Sequence, residues 1–364
     1  MSSIIDPIVL PPRRNNQHVL KMKLRIKEVI PFLAILVAAF AILWVYFYFT
    51  DRHNETLAYP IERVFKPSKF QIGDAILKEY FTTSHPSIYA LDNSIYIDRG
   101  LEKGMTHWTE IDSDGRVSEY GLPYLEGASL RQRRQNDFYF YANNGYIHVG
   151  FYRHSIRNYN LADSLIDLVC LSRNEKLMLE QVGTGEERHL CFSYRHDEDG
   201  QRVPVLNLLH DKYHSYVERT MAYDGAFFTY GGYITYSSFH MPYVWVFSAD
   251  GKYVQTITTR DSVPMPTLMR YKNATLYERG KTFNTNAASF VKDGKVYVFS
   301  QRVEQMAGEF VLDAYELQSG KYIESYRFPS RGAGNNLDIY SLLVYNNMLY
   351  IETEAGVFQL KNKK

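Results

Sequence analysis

Three stretches of the chain repeat one phrase. Ser113 to Tyr120 reads SDGRVSEY, Ser248 to Ile257 reads SADGKYVQTI, and Gln318 to Tyr326 reads QSGKYIESY. Each sets a small or acidic residue and a Gly before a basic residue and an alternating apolar run. Asp-Gly and Ser-Gly supply the positive φ that tight hairpin turns need. A chain that writes this phrase three times is committed to β-hairpins, and the question is what repeats around them.

A second set of hairpin signals lies upstream of each phrase. Ile88 to Ile97, Phe138 to Val149, Met221 to Tyr230, Phe290 to Ser300 and Leu342 to Ile351 each join two apolar runs through a short Asp, Asn or Gly turn. Asp224-Gly225 precedes Asp250-Gly251 by 26 residues, and Asp293-Gly294 precedes Ser319-Gly320 by the same 26. Asp92-Asn93 precedes Asp114-Gly115 by 22. The recurring unit is a four-stranded meander, the blade of a propeller. The first turns fall at 92, 144, 224, 293 and 346, so gaps of 52 and 53 residues bracket gaps of 80 and 69. The longer gap has room for a concealed blade around His189 to His210. The other fits an insertion, Thr259 to Asn286. This predicts an all-β, six-bladed propeller over residues 70–364, with seven blades as the alternative. The last unit supplies only three strands, so Phe70 to Thr82 is expected to complete it and close the ring.

Composition agrees. The 31 Tyr and 21 Phe suit pleated sheets. A net charge of +1 offers no basic footprint for nucleic acid. Cys170 and Cys191 are read as buried thiols, with a bridge between them left open.

Val29 to Phe49 holds 21 residues without a charge, enough for a helix spanning the roughly 30 Å hydrocarbon core of a bilayer. It is longer than the apolar run of a cleaved leader and lacks a small-residue cleavage site. Six basic residues between Arg13 and Lys27 precede it, which puts residues 1–28 inside. The expected organisation is a basic cytoplasmic tail 1–28, a transmembrane helix 29–49, a linker 50–69 and the propeller. This implies a single-pass protein of the inner (plasma) membrane, with its C-terminal domain periplasmic or extracellular.

The repeat form, including YELQSGKYIESYRF and the terminal NNMLYIETEAGVFQL, resembles the broad six-bladed, TolB-like propeller superfamily and is similar to propeller proteins common in Bacteroidetes. The resemblance covers about residues 70–360. It implies a fold and little chemistry. Metal-dependent lactonases of that superfamily use Glu, Asn and Asp at inner-strand starts. The matching positions here, Ser84/His85, Thr285/Asn286 and Asp338/Ile339, are too sparse to carry that chemistry over.

Other motifs carry little. His210-x-x-x-His214 has metal-ligand spacing but no helix to display it, and the acidic turn His196 to Gly200 lacks an EF-hand pattern. No Walker loop, nucleophile elbow or CxxC is present. Asn54-Glu-Thr and Asn273-Ala-Thr are glycosylation sequons, meaningful only in a eukaryotic secretory pathway. No catalytic residue, metal or cofactor is therefore assigned. The candidate ligand-facing residues are Arg131, Arg133 and Arg134 in a basic cluster, Arg270 and Lys272 in the insertion, and Arg331, Asn335 and Asn336 in a Gly-rich connection. The expectation is a binding module for a protein, peptide or glycan. Alternatives are a channel-site hydrolase or lyase, a metal-assisted one included, and a structural part of an envelope complex.

Overall fold

The structure is a computed structural model. It describes residues 34–45 and 61–363, apart from 78–87, 92–93, 103–104, 124–127, 135–136, 143–144, 151–154, 161–164, 172–174, 185–187, 197–200, 209–211, 262, 273, 303–307, 335–338 and 354. The chain divides into two compact units, Met1–Asn54 and Glu55–Lys364.

In the first unit, residues 34–45 form helix α1, and its apolar side chains, such as Phe40, Ile42 and Trp44, are exposed. This is part of the span expected over 29–49. At about 1.5 Å per residue α1 rises roughly 18 Å. Among the described residues no helix is long and apolar enough to cross a membrane. The tail 1–28 and the flanks 29–33 and 46–49 lie outside the described residues.

The second unit is built of antiparallel meanders. Two elements come first, the short β1 (Phe65–Lys66) and β2 (Phe70–Leu77). The first meander holds β3 (Ile88–Leu91), β4 (Ser94–Glu102), β5 (Met105–Ile111) and β6 (Val117–Pro123). The second holds β7 (Ala128–Arg134), β8 (Asp137–Ala142), β9 (Gly145–Gly150) and β10 (Ser155–Asn160). The third holds β11 (Leu165–Cys170), β12 (Glu175–Val182), β13 (His189–His196) and β14 (Arg202–Leu208). Helix α2 (Tyr216–Ala222) follows, then β15 (Gly225–Tyr230), β16 (Tyr233–Ser238), β17 (Tyr243–Ser248) and β18 (Tyr253–Thr258). A separate hairpin, β19 (Leu268–Tyr271) and β20 (Ala274–Tyr277), precedes β21 (Asn286–Lys292), β22 (Lys295–Ser300), β23 (Glu309–Glu316) and β24 (Tyr322–Pro329). The last meander has β25 (Ile339–Tyr345), β26 (Met348–Thr353) and β27 (Gly356–Asn362).

Closure is observed at both levels. β2 pairs antiparallel with β27, Phe70 opposite Asn362 and Ile72 opposite Leu360, so the start of the unit completes its last sheet. The first strands of successive meanders are neighbours, β3 to β7 to β11 to β15 to β21 to β25 and back to β3. This order is propeller-like. The sheets pack face to face. Val244, Val246 and Ile257 of the fourth meander meet Val291, Val296 and Val298 of the next. Ile95 and Ile97 meet Leu343 and Tyr350 across the closing seam. Strands such as β22 and β23 are buried along nearly their whole length, hence their unbroken apolar runs. The aromatic excess fills these seams: the Phe70 ring meets Phe290, Tyr297 and Tyr326 edge-on at 6.2, 5.1 and 5.7 Å.

All three repeated phrases are the turn between the third and fourth strands of a meander, with Gly115, Gly251 and Gly320 at φ of 78°, 79° and 68°. Asp293-Gly294 and Asn346-Asn347 are first turns with positive φ at both residues. Two expected first turns are not. Asp224-Gly225 is no turn, because Tyr216–Ala222 is helical and Gly225 opens β15. A Cβ on Gly225 would lie 2.2 Å from the Ser237 carbonyl oxygen, so this glycine permits close strand approach. The true turn is Gly231-Gly232, at φ of 63° and 80°. The first turn expected at 144 falls between the second and third strands of its meander, β8 and β9, rather than the first two, and residues 143–144 lie outside the described residues. The concealed meander expected near His189 is present as β11 to β14.

The expected linker 50–69 also ends earlier than its composition implied. β1 adds to β24 as a parallel fifth strand, Phe65 opposite Ser325. Ahead of it Arg63, 6% exposed, donates from Nε to Asp313 Oδ1 at 2.9 Å and from Nη2 to Oδ2 at 3.0 Å. Its Nη1 donates to the Arg302 carbonyl at 2.9 Å, and Asp261 lies 3.6 Å away. Residues 50–60 lie outside the described residues.

Candidate ligand-binding site

The meanders β11–β14 and β15–β18 share an apolar seam in which the Phe192 ring meets Phe227, Tyr236, Trp245 and Phe247. Towards the outer strands the seam opens into a cleft of about 540 Å³. One wall is Glu175 at the start of β12, Tyr194 on β13 and Val203-Pro204-Val205 on β14. The other is the turn Asp250-Gly251-Lys252-Tyr253.

Local chemistry fixes both walls. β14 is the outermost strand of its meander, where Pro204, which has no N–H to donate, is tolerated. Its pairing slips one residue there, Leu206 facing Phe192 but Pro204 facing Ser193. Val203 is exposed beside the cleft. In the turn, the Gly251 N–H donates to the Ser248 carbonyl at 2.9 Å. Lys252 Nζ lies 2.6 Å from Asp250, and Ser248 Oγ donates to the same carboxylate. These two bonds hold Asp250 down to about 2, so the rim carries a fixed carboxylate. Tyr194 OH donates to Glu175 Oε1 inside the cleft. The result is an apolar slot with two tyrosines and charges of both signs at its mouth. That suits an apolar side chain flanked by polar backbone.

The insertion 259–286 forms a cap with α2. The capping box is complete: the Glu218 N–H donates to Ser215 Oγ at 3.2 Å, and the Ser215 N–H to Glu218 Oε2 at 3.0 Å. Backbone N–H groups of Ser215 and His214 hold the Glu218 carboxyl below its ordinary range, with a contribution from Arg270. Tyr213 OH donates to the Pro266 carbonyl at 2.6 Å, and Tyr277 OH to the Met221 carbonyl at 2.7 Å. These side chain to backbone bonds tie the insertion to α2 and to Tyr213 ahead of it.

Of the sequence-selected residues whose side chains are described, Arg270 and Lys272 belong to the β19–β20 hairpin and Arg331 to the turn after β24. Arg270 pairs with Glu218 at 3.2 Å within the cap. Lys272 sits at the hairpin tip with φ 53° and lies over the Tyr271 ring. Arg331, at φ 52°, is in the turn after β24. Arg131, Arg133 and Arg134 belong to β7, and their side chains lie outside the described residues. Asn335 and Asn336, with Ser84, His85, His210 and Asp338, also lie outside them. His214 is exposed and precedes α2. Thr285 and Asn286 donate to the carbonyls of Ser238, Met241 and Tyr243, so they staple two meanders. Cys191 is a buried free thiol, and the Cys170 side chain lies outside the described residues.

The cleft residues Glu175, Tyr194 and Tyr253 escaped sequence reasoning because they come from three strands. The one legible signal was Asp250-Gly251, read as architecture alone. Among the described residues no group of three or more His, Cys, Asp or Glu could hold a metal. Two carboxylates do lie near each other where first strands meet. Asp167 is buried on β11, and Asp224 precedes β15. Solvent reaches Asp224, yet its crowded surroundings desolvate the carboxyl and, with the charge of Asp167, raise it to about 6.

No family model matches the chain, and no curated protein matches it. Solved structures resemble it at low identity. A DUF4221 family member from Bacteroides vulgatus is 12% identical at a TM-score of 0.44, over 83% of this chain and 99% of that one. Regucalcin from Agrobacterium tumefaciens, described as a calcium-binding protein, is 11% identical at 0.42, over 83% and 96%. An oligogalacturonate lyase in complex with manganese is 10% identical at 0.41, over 81% and 84%. The chemistry of these proteins is not carried over to this chain.

Proposed function

We propose that the chain is a membrane-anchored, six-bladed propeller that acts outside the cytoplasm as a binding module. In this reading 29–49 is the single span, the basic tail stays inside, and each meander is one blade. The ligand is a short peptide or loop that seats an apolar side chain in the cleft between the third and fourth blades. The observation that carries it is the 540 Å³ cleft itself, walled by Val203, Pro204 and Tyr194 against Asp250 to Tyr253. Peptide arrays probed with the full chain in lipid nanodiscs test it. Features bound by the wild type should be lost with Val203→Asp and with Tyr253→Ala. Binding unchanged in both variants would remove the cleft as the site.

A second reading, hydrolysis or elimination in the channel, is favoured only by Asp224 and Asp167. A carboxyl raised to about 6 is poised for proton transfer near neutral pH. Turnover of any ester or glycoside substrate that Asp224→Asn abolished would support it, and turnover indifferent to that change would not.

A further inference from the structure

The hairpin β19–β20 has two unlike faces. Register sets Leu268 opposite Tyr277 and Arg270 opposite Thr275 on one of them. That face is spoken for: Leu268 packs on the core, Arg270 pairs with Glu218, and Tyr277 bonds to Met221 and lies 4.2 Å from the His240 ring. The other face carries Met269 opposite Leu276, with Tyr271 two residues on. These three are 45%, 43% and 59% exposed. An apolar cross-strand pair and a tyrosine, held outward by the bonds of the opposite face, make a rigid apolar surface.

The insertion that carries this surface has a basic excess. Residues 259–286 contain five basic residues (Arg260, Arg270, Lys272, Arg279, Lys281) and two acidic ones (Asp261, Glu278), a net of +3. Asp261 is buried, Glu278 is paired with Lys281 at 2.6 Å and Arg270 with Glu218 at 3.2 Å, so the basic excess beside the hairpin is carried by Lys272 and Arg279. Met269-Arg270-Tyr271-Lys272 thus alternates apolar and basic groups, and Lys272 lies over Tyr271 at 5.3 Å. A tyrosine ring and lysine stems suit a boundary with hydrocarbon on one side and water on the other. The same chain carries the exposed apolar helix α1. An acidic protein would match the charge but would not need the aromatic and thioether groups to stand free.

We infer that the face formed by Met269, Tyr271 and Leu276 docks on an anionic lipid bilayer, with the surrounding Lys and Arg at the headgroups. The apolar face enters the acyl boundary, and the charges select anionic lipid. The inference rests on the anchored reading only for the nearness of a bilayer.

Met and Tyr are reactive towards hydroxyl radicals, so footprinting of the full chain reads this face directly. The probes are phosphatidylcholine vesicles with and without phosphatidylglycerol, compared with detergent. Oxidation of Met269 and Tyr271 should fall several-fold in the phosphatidylglycerol vesicles, with Met348 and Tyr253 unchanged. Lys272→Glu with Arg279→Glu should restore it without altering the fold. Equal oxidation in vesicles and detergent overturns the inference. So does equal shielding in pure phosphatidylcholine, or shielding in detergent that grows with protein concentration, which would identify a second copy as the occupant. Resistance to alkaline carbonate reads the span separately. A resistant chain with unshielded Met269 and Tyr271 sinks this inference alone. A washed-off chain whose hairpin had been shielded sinks the span alone.

Discussion

Arg63 shows how one side chain turns a linker into structure. It brings one guanidinium to two buried carboxylates, Asp313 and Asp261, and Ser300 and the Arg302 carbonyl complete its bonds. Removing it leaves Asp313 with the Ser325 hydroxyl and Asp261 with Ser300 and the charge of Arg302, so Arg63→Ala, which breaks a buried pair, should cost about 3–5 kcal/mol in denaturant unfolding. A loss below about 1 kcal/mol, the value of a surface pair, would show that the contact does not hold the segment. Burial pushes Asp261 up to about 7 against the pull of Arg63, with Asp313 adding to the rise. Between the ordinary carboxyl range and about 7 the folded state therefore keeps a proton that the unfolded chain has released. The contribution of Asp261 to stability therefore falls as pH rises through this window and levels off above it. Glu352, raised to about 7 by burial, works in the same direction. Asp261→Asn should flatten part of that fall, and melting curves with an unchanged slope from acidic to neutral pH would refute the assignment. The sequence offered no sign of this cluster, because its members lie up to 250 positions apart.

At the scale of elements, similar glycines have different reasons. Gly115 and Gly251 occupy the same turn position at nearly the same φ. A Cβ on Gly115 would meet nothing, whereas one on Gly251 would lie 2.7 Å from Leu171 Cδ1. Both changes to Ala carry the strain of a positive φ, roughly 1 kcal/mol. Gly251→Ala should cost more, and it should also perturb the cleft. Gly225→Ala should be the worst of the three, since its obstacle is the Ser237 backbone. Equal melting temperatures for Gly115→Ala and Gly225→Ala would contradict this ranking. The turn chemistry was legible from sequence because it is local. The misread Asp224-Gly225 shows the limit: an identical dipeptide serves a turn in one place and strand approach in another, and only the neighbouring strand tells them apart.

At the scale of the whole molecule, closure depends on a segment far from its partner in sequence. β2 supplies Phe70 and Ile72, both buried, to the last sheet. Ile72→Ala should cost about 2–5 kcal/mol as a core truncation. Because it loosens the seam between the last two meanders, it should also bring proteolytic cleavage into residues 339–362 before the rest of the unit. Cleavage spread evenly along the unit would argue that the ends are not the weak point. The need for an outer strand was readable from the three-stranded last unit. The fifth strand, β1, was not, since Phe65-Lys66 is too short to leave a periodic signal.

The sequence by itself determined the meander, the turns that punctuate it and the segment that completes the last sheet. These follow from short-range backbone preferences and from alternation, which act between residues close in the chain. Only the tertiary structure decided the cleft, the Arg63 cluster and the two faces of the β19–β20 hairpin. Each is made where separate strands meet, and burial, not residue type, gives its groups their character. The same Asp-Gly phrase that announces a hairpin becomes one wall of a cleft because Val203, Pro204 and Tyr194 are brought opposite it.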